Sequence, residues 1–158
     1  MQSVDLKGLD ELIGMFRRMQ EQFPKSQRAY HERVAQRLRQ EVSAEISATT
    51  KSSGRLASWQ QEHIGSGGGY AAIRPVSGIS GANSPGAITN YVENGHTVAS
   101  GPRANRKSTT RKYRSRLKTG VVKGRHFYQN VRSRAMKIAM EEMDRFMNEL
   151  TEAADAKR

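Results

Sequence analysis

The amino-acid sequence predicts an α+β fold: a small antiparallel sheet packed with N-terminal helices and a long C-terminal helix. Three observations predict it. Apolar residues recur at helical spacing through the first fifty residues. A glycine-punctuated middle region carries short runs of strand character. The last thirty residues carry a second, longer helical stripe. The 158 residues suit one domain around a single core. Within it we expect a helical part (1–50), a strand region (54–100), a basic loop (101–125) and a C-terminal helix (126–152).

Residues 5–20 read as a short amphipathic helix, with Leu6, Leu9, Ile13 and Phe16 on one face. Pro24 ends or interrupts it, because proline lacks the N–H that continues a helix. Ser26 is the expected N-cap of a second helix reaching about Ala48. Its stripe is Tyr30, Val34, Leu38, Val42 and Ile46, one residue in every four. At about 100° per residue this stripe drifts around the axis, so its two ends are expected to face different neighbours. The stretch "TTKSSG" stops the helix.

The middle region reads differently. "LASWQQEHI" (56–64) is a first strand, "GSGGG" a turn and "YAAIRPV" (70–76) a second strand, with Pro75 favouring an edge or a strand end. "SGISGANSPG" (77–86) is a loop by composition. "AITNYV" (87–92) is a third strand, in which Ile88, Asn90 and Val92 alternate against Thr89 and Tyr91. "LKTGVV" (117–122) is a candidate strand returning to the sheet.

From His126 to about Glu152 the stripe is Phe127, Val131, Ala135, Ile138, Met143, Phe146 and Leu150, widened by Met136, Met140 and Met147. A methionine-rich stripe reads first as core. Any part of it left exposed is a site for a neighbouring subunit, since methionine adapts to irregular partners.

Composition narrows the chemistry. No cysteine is present, which excludes disulfides, thiolate metal sites and cysteine nucleophiles. The first residues lack the basic and apolar regions of a signal peptide. No window approaches the roughly 18 apolar residues of a membrane span, so we expect a soluble protein made in a cytoplasm, without membrane contact. With 35% hydrophobic and 6% aromatic residues the core is modest, and such a chain gains stability by assembling with copies of itself.

His31, His63, His96 and His126 form no metal-binding pattern along the chain. "GSGGGY" lacks the spacing and the lysine of a phosphate-binding loop, and "SGRLAS" is not a nucleophile elbow. Glu93 and His96, in "NYVENGHTV", are the one acid/base or metal pair to weigh. They lack a third ligand, a nucleophile and a pocket nearby in sequence. The better reading is a strand end at Val92, a turn at Asn94-Gly95 with positive φ, and charges that hydrogen-bond backbone groups there. We expect no catalytic site, no metal and no cofactor.

The net charge of +12 is concentrated. Residues 1–100 hold 11 Lys/Arg and 9 Asp/Glu; residues 126–158 hold 6 of each; residues 101–125 hold 10 Lys/Arg and no acidic residue. Arg103, Arg106, Lys107, Arg111, Lys112, Arg114, Arg116 and Lys118 are therefore the candidate contacts to DNA phosphates or to an acidic protein partner, with a merely solvated loop as the third reading. Poor in apolar residues, the segment is expected to be mobile or extended until a partner neutralises it. No zinc finger, RNP motif or helix-turn-helix accompanies it, so any such binding is without sequence readout.

Three blocks, in order along the chain, resemble one family: "SSGRLASW" (52–59), "ITNYVENGHTV" (88–98) and "GVVKGRHFYQNVRSRA" (120–135). The pattern is similar to that of the head–tail joining and tail-completion proteins of long-tailed bacteriophages and prophages. Matching positions are Ser53, Gly54, Leu56 and Ser58 beside Trp59; Val92, Glu93, Gly95 and His96; and Gly124, Arg125, His126 and Phe127. The sequence departs from that pattern at Ser53, where threonine is usual, at Tyr91, which directly precedes Val92, and in the length and basicity of 101–119.

The resemblance implies a structural role in the virion without catalysis, at the junction of the DNA-filled head and the tail. It implies a homo-oligomeric ring, often of six copies, meeting connector or stopper proteins and tail-tube proteins, with DNA phosphates in the lumen as a further contact. On that reading Glu93, Gly95, His96 and Phe127 are candidates for a subunit interface or for fixing the turn.

Overall fold

The computed structural model describes residues 6–51, 53–97 and 121–155. The fold is α+β, dominated by two long helices packed against each other. Helix α1 runs Leu6–Thr49 and helix α4 runs Phe127–Asp155. Arg134 of α4 meets Glu41 and Glu45 near the end of α1, whereas Phe146 and Leu150 pack on Tyr30 and Val34. The two helices are therefore antiparallel.

Two helices were expected before residue 48, separated at Pro24; one is found, with Pro24 inside it. Proline removes a single helical hydrogen bond. The apolar seam continues through it, from Met19 and Phe23 to Tyr30 and Val34, and α4 packs on that seam: Phe23 and Phe146 meet edge to face at 5.7 Å. Ser26 accordingly lies within the helix and is not its cap.

The predicted stripe of the second half of α1 is core. Tyr30, Val34, Val42 and Ile46 are buried, and Leu38 joins both apolar clusters. The stripe was expected to meet different neighbours at its two ends, but α4 covers both, and only one end also meets Leu56. Val42 and Ile46 pack with Leu56, Phe127 and Val131, while Tyr30 and Val34 pack with Phe146 and Leu150. Burial of each large side chain contributes about 1.5–3 kcal/mol. The Tyr30 hydroxyl donates to the Ala139 carbonyl at 3.3 Å, satisfying the polar end of a buried ring.

One charge lies within the helix pair. The Glu142 side chain is 1% exposed and sits between Arg33 (3.1 Å) and Arg37 (3.0 Å). Burial pushes the Glu142 carboxyl up, but the hydrogen bonds from Arg37 and Arg33 prevail and hold it below the usual carboxylate range. Arg37 also binds Glu141 at 2.6 Å, which raises the guanidinium and lowers that carboxyl.

The expected small antiparallel sheet is present as a two-stranded hairpin, and among the described residues a second antiparallel pair stands apart from it. Strands β1 (Gln60–Ile64) and β2 (Ala71–Pro75) form a hairpin, with Gln60 opposite Pro75 and Ile64 opposite Ala71. The glycine turn joins them as expected: Gly67 and Gly68 take φ of 117° and 74°. A Cβ on Gly68 would lie 3.0 Å from Cβ of Arg28, so the hairpin tip rests on α1. The first strand begins later than predicted, because Leu56–Ser58 belong to a short helix, α2 (Ser53–Ser58).

The predicted third strand is helix α3 (Pro85–Asn94). Ser84 caps it by accepting the Ala87 amide at 3.2 Å, and Pro85 opens it. Thr89, Val92 and Glu93 then share its inward face. A hydrogen-bonded start overrides an alternation only six residues long. After α3, strand β3 (Gly95–Thr97) pairs with β4 (Val121–Lys123), Gly95 opposite Lys123. Val121 and Val122 do form a strand, as expected of "LKTGVV", but beside β3 and not beside the hairpin.

The C-terminal stripe divides. Phe127, Val131, Ile138, Phe146 and Leu150 are buried; Met136, Met140, Met143 and Met147 are 41–70% exposed. The methionines were expected in the core. At 100° per residue Met136, Met140 and Met147 fall on a stripe turned away from Ile138, Glu142 and Phe146, which face α1, and Met143 lies at the edge of that stripe.

Candidate functional site

The three sequence blocks meet in space. The first ends in Leu56 and Trp59, and Gln60 follows it directly, where α2 passes into β1. The second supplies Thr89, Val92 and Glu93 from α3. The third supplies Gly124 and the first turn of α4. Leu56 and Phe127 are buried in one cluster, with Trp59, Val92 and Tyr128 packed against it.

Gln60 is fully buried and ties the blocks together. Its Nε2 donates to the Leu56 carbonyl at 3.0 Å and to Thr89 Oγ1 at 3.3 Å, and its Oε1 accepts from the Tyr128 hydroxyl. Each polar atom of a buried amide needs a partner, and here each has one. Burial first, and then the nearby Glu93 carboxylate, push the Tyr128 phenol up to about 12.

Glu93 closes the start of α4. Its Oε2 accepts from the Tyr128 amide at 3.1 Å and its Oε1 from the Gln129 amide at 3.2 Å. The first amides of a helix have no partner within it, and they carry the positive end of its dipole. A local cap is lacking: His126, just before the helix, sits at φ 55° with its ring exposed. A glutamate 35 residues earlier supplies the missing acceptor. Its carboxylate is thereby committed to a helix terminus.

Main-chain contacts lock the same joint. The Val92 carbonyl accepts from the Arg125 amide at 2.8 Å, and the Glu93 carbonyl from the His126 amide at 3.1 Å. Gly95 ends α3 at φ 77°, the positive value expected of the Asn94-Gly95 turn. A Cβ on Gly95 would lie 2.7 Å from the Gly124 nitrogen, and one on Gly124 would lie 2.7 Å from the Asn94 carbonyl carbon. Neither position has room for a side chain, because the backbone of the facing segment fills the space.

Of the residues singled out in sequence, Glu93, Gly95 and Phe127 converge on this joint, Phe127 with no exposed surface. The polar charges do hydrogen-bond backbone at Glu93, but the backbone belongs to α4 and not to a local turn. His96 stays exposed, its ring 5.2 Å from that of Tyr91. Among the described residues, no three His, Asp or Glu side chains gather to hold a metal ion, and no helix is long and apolar enough to cross a membrane. The candidate contacts Arg103, Arg106, Lys107, Arg111, Lys112, Arg114, Arg116 and Lys118 lie outside the described residues.

Sequence reasoning missed Gln60, Thr89 and Tyr128. Nothing separates Gln60 from Gln61 by residue type, and the bonds that define its role join positions 29 and 68 residues away. Beside the joint, Thr50, Arg55, Leu56, Trp59, Ile88 and Val92 line an open, mainly apolar cavity of about 410 Å³.

A scan of the chain against protein-family models, a search of curated proteins and a search of solved structures each find no match.

Proposed function

We propose that this chain is a structural protein of the head–tail junction of a long-tailed bacteriophage, a neck or tail-completion subunit that assembles as a ring. The observation that carries the proposal is the convergence of the three family-like blocks on one joint. Positions matching the family pattern, among them Leu56, Val92, Glu93, Gly95, Gly124 and Phe127, are spent on packing, capping and close backbone approach. Such residues specify a shape, as a subunit of an assembly requires. The exposed methionine stripe of α4 adds adaptable apolar surface for a neighbour. A ring closes by heterologous contacts without leaving an open end.

In this reading the basic segment neutralises DNA phosphates in the lumen or an acidic face of the adjoining ring. The test mixes purified protein with its connector or tail-tube partner and images the product by electron microscopy. Rings or capped tubes are expected, and their absence overturns the proposal. Neutralising Arg111, Lys112, Arg114 and Arg116 together should leave the fold intact and reduce joining; unchanged joining removes the segment from the mechanism.

The ten Lys/Arg of residues 101–125 favour one second reading, a free-standing DNA-binding or packaging accessory protein without sequence preference. It requires that the isolated protein bind duplex DNA, with log K falling by about 0.9 per phosphate contact for each unit of log salt. No binding at low salt removes it.

A further inference from the structure

The two ends of α1 carry complementary unpaired surfaces. At its start, Leu12, Ile13 and Phe16 are 46%, 42% and 58% exposed. They continue the seam that α4 covers further along, but Leu150 is the last large apolar residue of α4, and "TEAAD" beyond it offers only small or polar side chains. Exposed Asp10 and Glu11 flank this apolar arm on either side at 100° per residue. At the other end lies the 410 Å³ cavity, walled by Leu56, Trp59, Ile88 and Val92. Exposed Arg55 lines its mouth, and exposed Lys51 follows Thr50 in its wall.

Among the described residues these four charges have no ion-pair partner, whereas Arg33, Arg37 and Arg134 are all paired. Asp10 and Glu11 also lie past the first turn of α1, beyond the reach of its dipole. The arm cannot reach the cavity of its own chain. Phe16 and Thr50 are separated by some 34 residues of one helix, or roughly 50 Å at 1.5 Å per residue.

We propose that the N-terminal arm of one copy docks in the cavity of a second copy. Phe16, with Leu12 and Ile13, enters the apolar cleft, and Asp10 and Glu11 face Lys51 and Arg55. Because the two surfaces differ and sit at opposite ends of the helix, the contact is head-to-tail, the kind that propagates to a ring. The inference rests on the ring reading for its expectation of self-assembly and names the seam.

The experiment uses two charge-reversed forms of the full chain, Asp10→Lys with Glu11→Lys, and Lys51→Glu with Arg55→Glu. Light scattering coupled to size exclusion measures assembly at low salt, with circular dichroism confirming the fold of each. Each form alone should associate at least about tenfold more weakly than the unaltered chain, the scale of one or two lost charge pairs. Mixed in equal amounts, the basic arm meets the acidic cavity and the acidic arm the basic cavity, so assembly should return. Phe16→Ser should also weaken association. If both reversed forms assemble like the parent, or if the mixture does no better than either alone, the seam lies elsewhere while the ring reading stands. If the parent chain is monomeric at all concentrations, both fall.

Discussion

The Glu93 carboxylate accepts the Tyr128 backbone amide at 3.1 Å, so the last turn of α3 caps the first turn of α4. Two elements 35 residues apart thereby share one polar contact, and the stability of the long helix pair depends on it.

Replacing Glu93 with alanine should cost about 1–2 kcal/mol, the range for lost helix caps, since two part-buried amides lose their acceptor. His96→Ala, at an exposed position, should stay within about 0.5 kcal/mol of the parent. Urea denaturation followed by helical signal measures both. Equal effects at the two positions would refute the assignment of roles.

Alanine at Gly124 should destabilise by roughly 3 kcal/mol, because its Cβ would meet backbone atoms of Glu93 and Asn94, which cannot swing aside as a side chain can. Gly95→Ala should do the same and adds strain at φ 77°. Gly54→Ala, where a Cβ meets nothing within 4 Å, is the matched control and should be tolerated.

Tyr128 predicts an alkaline limb in the stability curve. Its folded pKa, about 12, exceeds the ordinary value near 10, so its contribution is full below about pH 10 and is lost as pH rises toward 12. Tyr128→Phe should flatten this limb. It should also cost about 1–2 kcal/mol at neutral pH, since the buried Gln60 oxygen loses its donor. Thermal melts between pH 8 and 11 would separate the two effects.

Glu142 predicts the acid limb. Its folded pKa lies below the unfolded value of about 4.3. Its stabilisation is therefore present above that value and lost as pH falls through the folded pKa. Glu142→Gln should cost about 2–3 kcal/mol at pH 7, less than a fully buried pair, because Arg33 and Arg37 both reach solvent. The variant's melting temperature should also fall less steeply below pH 5. A parallel acid decline in both proteins would argue against the pairing.

How much of this was legible in sequence follows from how local each signal is. The stripe from Tyr30 to Ile46 and the one from Phe127 to Leu150 are repeated many times over, and they mark helices correctly. The "GSGGG" hairpin turn was equally plain. Pro24 reads locally as a break because one hydrogen bond is missing there, whereas the packing that spans it on both sides is not visible in the local sequence. The start of α3 is legible in Ser84 followed by Pro85, a cap signal stronger than the short alternation of "AITNYV". The joint itself was legible only as three motifs. Their common purpose depends on contacts between Gln60, Thr89, Glu93 and Tyr128, which no spacing along the chain encodes.

The pairing of α1 with α4 sets an order of events during synthesis. Tyr30 and its acceptor at Ala139 are 109 residues apart. At roughly 5–20 residues per second, a ribosome needs about 5–20 s to deliver the second after the first. Throughout that interval the nascent α1 holds its whole apolar seam without its partner helix. Other nascent copies on the same message would present the same seam, so the final helix decides whether the first folds within its own chain or is caught by a sibling.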